Sequence, residues 1–172
     1  MLFKSIFIVL FSLVVTSGCQ STGIQTKHIN SLELDEINGI KSYQKGEYEK
    51  SFELLKTPAA WGYKGSQYAI AFMFLKGQYV QQSTLMGMGW LGVATEVETE
   101  EWSDQYRTFY STATAEQQLK IDEIVKEYIK RYGMKSQNIT CTKSSTVLSR
   151  RVQHSCHRSD RISTVYEVDL VE

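Results

Sequence analysis

Hydrophobic positions recur at helical spacing from Ser31 to Gly133, and short alternating runs replace them beyond it. Tyr48, Phe52, Leu55 and Ala59 fall at i, i+4, i+7 and i+11, which lines one face of a helix. Ile37, Ile40 and Tyr43 mark a preceding helix that ends near Gly46. In "GYKGSQYAIAFMFLKG" the residues Tyr68, Ala69, Ile70, Phe72, Met73 and Phe74 leave little polar face. A central helix closed by Gly77 is expected there. "EEWSDQYRTFY" sets Trp102, Tyr106, Phe109 and Tyr110 on one helical stripe, which is expected to face the core. "TAEQ" (Thr114 to Gln117) is a capping box opening a helix through Leu119, Ile121, Ile124, Val125, Tyr128 and Tyr132, ended by Gly133.

After Gly133 the period changes. "NITCTK", "RVQHSCH" and "STVYEVDLV" are short and β-prone, and in the last of them Val165, Glu167 and Asp169 alternate with Tyr166, Val168 and Leu170. The spacing predicts a helical domain over 31–133 and a small β-rich tail over 134–172.

The helical part also repeats itself. Setting Ser51 against Gly87 aligns Leu54 with Trp90 and Pro58 with Ala94 at an offset of 36, while Gly46 and Gly77 align at 31. Two helical hairpins result, the second with a longer inter-helix loop. The stretch "GYKGSQYAIAFMFLKGQYVQQSTLMGMGWLGVA" resembles a Sel-one-like repeat, a relative of the tetratricopeptide repeat. The pattern falls on Gly62, Ser66-Gln67-Tyr68, Ile70-Ala71, Phe74, Gly77, Gly87, Trp90 and Ala94. Ile70-Ala71 stands where Leu-Gly is usual, and Gly87 stands where alanine is. The resemblance implies a mainly α fold, a short helical-hairpin array with capping helices. It also implies a groove lined by the first helix of each hairpin, with Lys64 and Gln67 as contact candidates for a protein or peptide partner.

"GMGWLG" (Gly87 to Gly92) matches G-x-G-x-x-G, but the cofactor fold needs a buried strand leading into the glycines, and polar "QYVQQST" leads in instead. A packing helix is the expected setting, with Gly87 at a small contact position and Trp90 filling the space between helices. No cofactor is expected.

The N-terminus reads separately from the fold. Lys4 precedes an apolar run, Ser5 to Val15, that is short for a membrane span and fits a secretory signal over 1–18. Thr16-Ser17-Gly18-Cys19 resembles the lipobox of bacterial lipoproteins, with Thr16 where leucine is usual. The resemblance implies a lipidated Cys19 as the mature first residue. Gln20 in place of aspartate implies passage to the outer membrane, facing the periplasm. Residues 19–30 are polar and aperiodic, a flexible tether.

Charge narrows the partners. Lys+Arg and Asp+Glu number 19 each, which lacks the basic footprint of general nucleic-acid binding. Lipidation of Cys19 leaves Cys141 and Cys156, a pair expected to form a disulfide after export. The competing reading joins His154 to both cysteines as a metal site. Lys143, Arg150, Arg151, Arg158 and Arg161 make the tail locally basic, and Arg150 and Arg151 are candidates for an anionic envelope ligand such as lipopolysaccharide or peptidoglycan. No G-x-S-x-G, H-E-x-x-H or P-loop occurs, and the acidic run Glu96, Glu98, Glu100 and Glu101 reads as solvated. The leading expectation is a non-catalytic interaction module anchored to the outer membrane. An envelope binder of an anionic ligand and an envelope enzyme of unrecognised type are the alternatives.

Overall fold

The computed structural model describes residues 29–145, 152–159 and 166–170. The signal, Cys19, most of the tether, Arg150, Arg151 and Arg161 lie outside the described residues. Among the described residues six helices come first: α1 (Ile29–Gln44), α2 (Tyr48–Ala60), α3 (Lys64–Lys76), α4 (Thr84–Ala94), α5 (Glu100–Thr112) and α6 (Ala115–Tyr132). A 3-10 turn, Thr95–Val97, follows α4, and β1 (Ile139–Ser145) pairs antiparallel with β2 (Val152–Arg158). Helix α1 opens at Ile29, so the last two residues of the expected tether are already helical. Among the described residues no helix is long and apolar enough to cross a membrane.

The two hairpins α1–α2 and α3–α4 end and pack alike. Gly46 and Gly77 follow the first helix of each at φ +78° and +65°, a region that costs glycine least. After each, the chain closes the same pair of bonds. Gly46 N donates to Tyr43 O and Glu47 N to Ser42 O; Gly77 N donates to Phe74 O and Gln78 N to Met73 O. The aligned positions Ser51 and Gly87 both face the preceding helix. Ser51 Oγ donates to Gly39 O at 2.9 Å, and a β-carbon at Gly87 would meet Leu75 Cγ at 2.6 Å and Ala71 O at 3.1 Å. The second loop, 77–83, is the longer one.

Helix α4 is the centre of the domain. Met86, Met88, Trp90, Leu91 and Val93 are buried there, and Trp90 stacks on Tyr132 (4.6 Å between ring centroids) and leans on Tyr128 (4.9 Å) of α6. The glycines of "GMGWLG" let two neighbours approach. Gly87 meets α3, whereas a β-carbon at Gly89 would lie 3.0 Å from the Tyr128 ring and one at Gly92 would lie 2.5 Å from Val125, both on α6. The motif is wholly helical and a loop leads into it.

Two expected elements turn out differently. The aromatic stripe of α5 is core only in part: Tyr106 and Tyr110 pack against the main core, but no residue of the helix is fully buried and Phe109 is 39% exposed. This helix rests on α3 and α4 and meets α6 through Tyr110, whose hydroxyl donates to Asp122 at 3.0 Å. Of the three β-prone runs, the first two form the hairpin, but residues 166–170 join no ladder and lie against α6. In the hairpin Cys141 stands opposite Cys156, and a disulfide joins them. Leu32, Tyr63, Ile139 and Cys156 form a second small core there, with Trp61 and Met134, that docks the hairpin on α1 and on the turn after α2.

Candidate functional site

Lys64 and Gln67, expected on a groove, are both fully buried at the start of α3. Lys64 Nζ donates to Gln67 Oε1 at 2.8 Å, to Val93 O at 3.0 Å and to Glu96 Oε2 at 2.7 Å. Gln67 Nε2 donates to Ala59 O at 2.9 Å and Tyr132 O at 2.8 Å. Every donor of the pair is spent inside the fold, so neither side chain offers an atom to a partner.

The acceptors share an origin. Ala59, Val93 and Tyr132 lie in the last turns of α2, α4 and α6, where helix carbonyls lack intrahelical partners and a cation is favoured by the helix dipole. Two side chains therefore tie three helix ends together. Glu96 closes the cluster by also accepting from Met134 N at 2.9 Å, so this member of the acidic run is structural rather than solvated. Burial pulls the Lys64 ammonium down from its ordinary 10.5 to about 8, against the opposing pull of Glu96.

The spacing carried a signal for this. Lys64, Gln67, Ala71 and Phe74 fall at i, i+3, i+7 and i+10, and all four are fully buried. The two polar residues continue an apolar stripe.

What the first helices do expose is aromatic. Tyr68 of α3 stacks on Trp102 of α5 at 4.4 Å and donates from its hydroxyl to Gln105 Oε1 at 2.6 Å. Phe72 follows at 5.0 Å from Tyr68, with Phe109 of α5 at 6.3 Å from Phe72 and Lys76 Nζ above its ring at 5.4 Å. Tyr43 of α1 and Tyr48 of α2 meet edge to face at 5.6 Å, and burial raises the Tyr43 hydroxyl above its ordinary value, with Tyr48 and Tyr68 adding to the rise. Tyr43, Tyr68, Phe72 and Trp102 are half-buried and Phe109 is exposed. Spacing alone places Trp102 and Phe109 on a core-facing stripe and marks none of this row as a site.

A second feature lies on the second helices. Residues 166–170 cross α6 beside a cleft of about 240 Å³ with a floor of Leu85, Met86, Ile124 and Tyr128. Tyr132 Oη donates to Glu167 O at 2.7 Å, and Arg131 Nη1 donates to Asp169 Oδ2 at 3.0 Å. Arg131 is held by Glu127 at 2.8 Å, which raises its already high pKa.

The remaining candidates are placed or fall outside. Arg158 stands 3.9 Å over the Trp61 ring, so this basic tail residue packs against the body. Among the described residues no group of three or more His, Cys, Asp or Glu is arranged to hold a metal ion. With Cys141 and Cys156 bonded to each other, their thiolates are not available to the metal site weighed as an alternative.

Comparison with known protein families, curated proteins and solved structures returns no match. The class these features define is a mainly α-helical domain with a disulfide-stapled two-stranded hairpin.

Proposed function

We propose that the chain is a lipid-anchored interaction module of the bacterial outer membrane, built on Sel-one-like hairpins, that binds a protein or peptide in the periplasm without catalysis. The observation that carries this is the row Tyr43, Tyr68, Phe72, Trp102 and Phe109 on the first helices of successive hairpins. Large rings with few rotamers supply contact area at small entropic cost, which is why they concentrate in binding surfaces. The lipobox-like Thr16-Ser17-Gly18-Cys19 after an apolar run supports the anchor, and the bonded Cys141–Cys156 pair accords with an oxidising compartment.

Cross-linking in intact cells followed by affinity capture tests the reading. A defined protein recovered with the wild type is lost with Trp102→Ala and Phe109→Ala, and is kept when Arg150 and Arg151 are neutralised. Loss on neutralising the two arginines alone, with steep salt dependence, transfers the function to an anionic ligand. Turnover of a cell-wall substrate without a protein partner overturns the module.

A further inference from the structure

The chain's own residues 166–170 show what the surface of α4 and α6 can hold. The segment joins no ladder and is attached by a few side-chain contacts of distinct chemistry. Tyr132 Oη binds a backbone carbonyl, that of Glu167, at 2.7 Å. The Arg131 guanidinium, fixed by Glu127, takes the Asp169 carboxylate and lies 5.9 Å from the Tyr166 ring, which meets Tyr132 edge to face at 6.1 Å. Val168 packs against the main core. An aromatic, an aliphatic and an acidic residue at alternate or neighbouring positions are thus each met by a dedicated partner.

The fit is incomplete. Tyr166 and Leu170 remain 39% and 54% exposed, and the Arg131–Asp169 pair is part-exposed, where such pairs contribute little. Beside Asp169 the cleft of about 240 Å³ stays open over an apolar floor, with room for one large apolar side chain. A segment so attached is displaceable, and a competitor filling the open volume gains area that the segment does not use.

We propose that the α4–α6 cleft is a recognition groove for a short peptide segment of aromatic-x-aliphatic-acidic pattern, which residues 166–170 occupy in cis until a partner displaces them. This rests on reading the chain as an interaction module, but not on the aromatic row of the first helices.

The probe is a fluorescein-labelled peptide of the chain's own residues 166–172, with a scrambled peptide as control and anisotropy as readout. Three full-length proteins are compared: wild type, Asp169→Lys, and the pair Val168→Asp with Asp169→Lys, which releases the segment without shortening the chain. A tethered segment competes at an effective concentration of ~mM, so the doubly substituted protein is expected to bind the peptide at least about tenfold more tightly than wild type. Asp169→Lys alone gives an intermediate gain, and it carries the test if the pair does not fold by circular dichroism. Adding Arg131→Ala weakens the gained binding, whereas Trp102→Ala leaves it unchanged. Equal binding by all folded variants, equal binding of the scrambled peptide, or a concentration-dependent dimer of the wild type that takes up no peptide overturns the proposal. The dimer would make the occupant a second copy's segment. A folded variant that fails here while Trp102→Ala still abolishes partner capture sinks only the groove and leaves the module reading intact.

Discussion

Gly92→Ala sets two effects of opposite sign against each other. Alanine gains about 1 kcal/mol over glycine inside a helix, so propensity alone predicts a more stable protein. The added β-carbon would lie 2.5 Å from Val125 Cγ2, 2.8 Å from Cγ1 and 3.3 Å from Tyr106 Cε2. Val125 cannot easily turn away, because a β-branched side chain keeps one rotamer in a helix. Overpacking of a tight contact costs about 1–3 kcal/mol. The 2.5 Å approach to a side chain of fixed rotamer puts the cost in the upper part of that range, so the clash wins and Gly92→Ala is expected to lower stability by up to about 2 kcal/mol once the propensity gain is subtracted. Urea unfolding followed by far-UV circular dichroism measures it. Val125→Ala in the same chain opens the space, so the double variant should be more stable than the sum of the singles by about 1 kcal/mol. A Gly92→Ala protein at least as stable as wild type, with additive effects of Val125→Ala, refutes the close approach of α4 to α6.

Trp90→Ala removes a fully buried indole stacked on Tyr132 and should cost about 3–5 kcal/mol by the same assay; a near-neutral result would show that α4 is not central. Lys64 has a folded pKa of about 8 below its ordinary 10.5, so the unfolded chain holds more protons between those values and stability rises with pH there, by up to about 3 kcal/mol. Lys64→Met should abolish that rise between pH 8 and 9.5, and a flat wild-type profile would mean that the ammonium is solvated. Tyr63 and Tyr132 work in the other direction: burial lifts both to about 12 from 10, so their stabilisation is full below pH 10 and is lost as pH climbs toward 12. Mass spectrometry should find Cys141 linked to Cys156, and reduction should destabilise the hairpin by about 3 kcal/mol; free thiols with stoichiometric metal would reverse the assignment. Cys19→Ser should move the protein from membranes to the soluble periplasm, and unchanged fractionation would remove the lipid anchor.

Much of the fold is legible in the sequence because local chemistry and tertiary packing agree. The Thr114–Gln117 capping box forms as spelled, with Thr114 N donating to Gln117 Oε1 at 2.8 Å and Gln117 N to Thr114 Oγ1 at 3.3 Å. Gly46 and Gly77 end their helices as the self-comparison places them. The site was less legible. Lys64 and Gln67 look like surface residues by type, and only their register with Ala71 and Phe74 says otherwise. Periodicity finds the aromatic stripe of α5 but does not say how many neighbours cover it, and α5 is covered only in part. Alternation from Tyr166 to Leu170 reports a two-faced extended segment and is silent on its support, which is α6 rather than a strand. The sequence of one helix does not say what lies against Gly89 and Gly92; the neighbour is α6, through Tyr128 and Val125.

In the proposed module the first helices present the binding face. A photo-crosslinking amino acid placed at Phe109 or at Phe72 in living cells tests it most directly, with the same probe at positions 150 and 151 for comparison. One defined protein adduct is expected from Phe109 and Phe72, lost when Trp102 is changed to alanine. Adducts confined to positions 150 and 151, or none from the helical positions in a folded, membrane-bound protein, would contradict it.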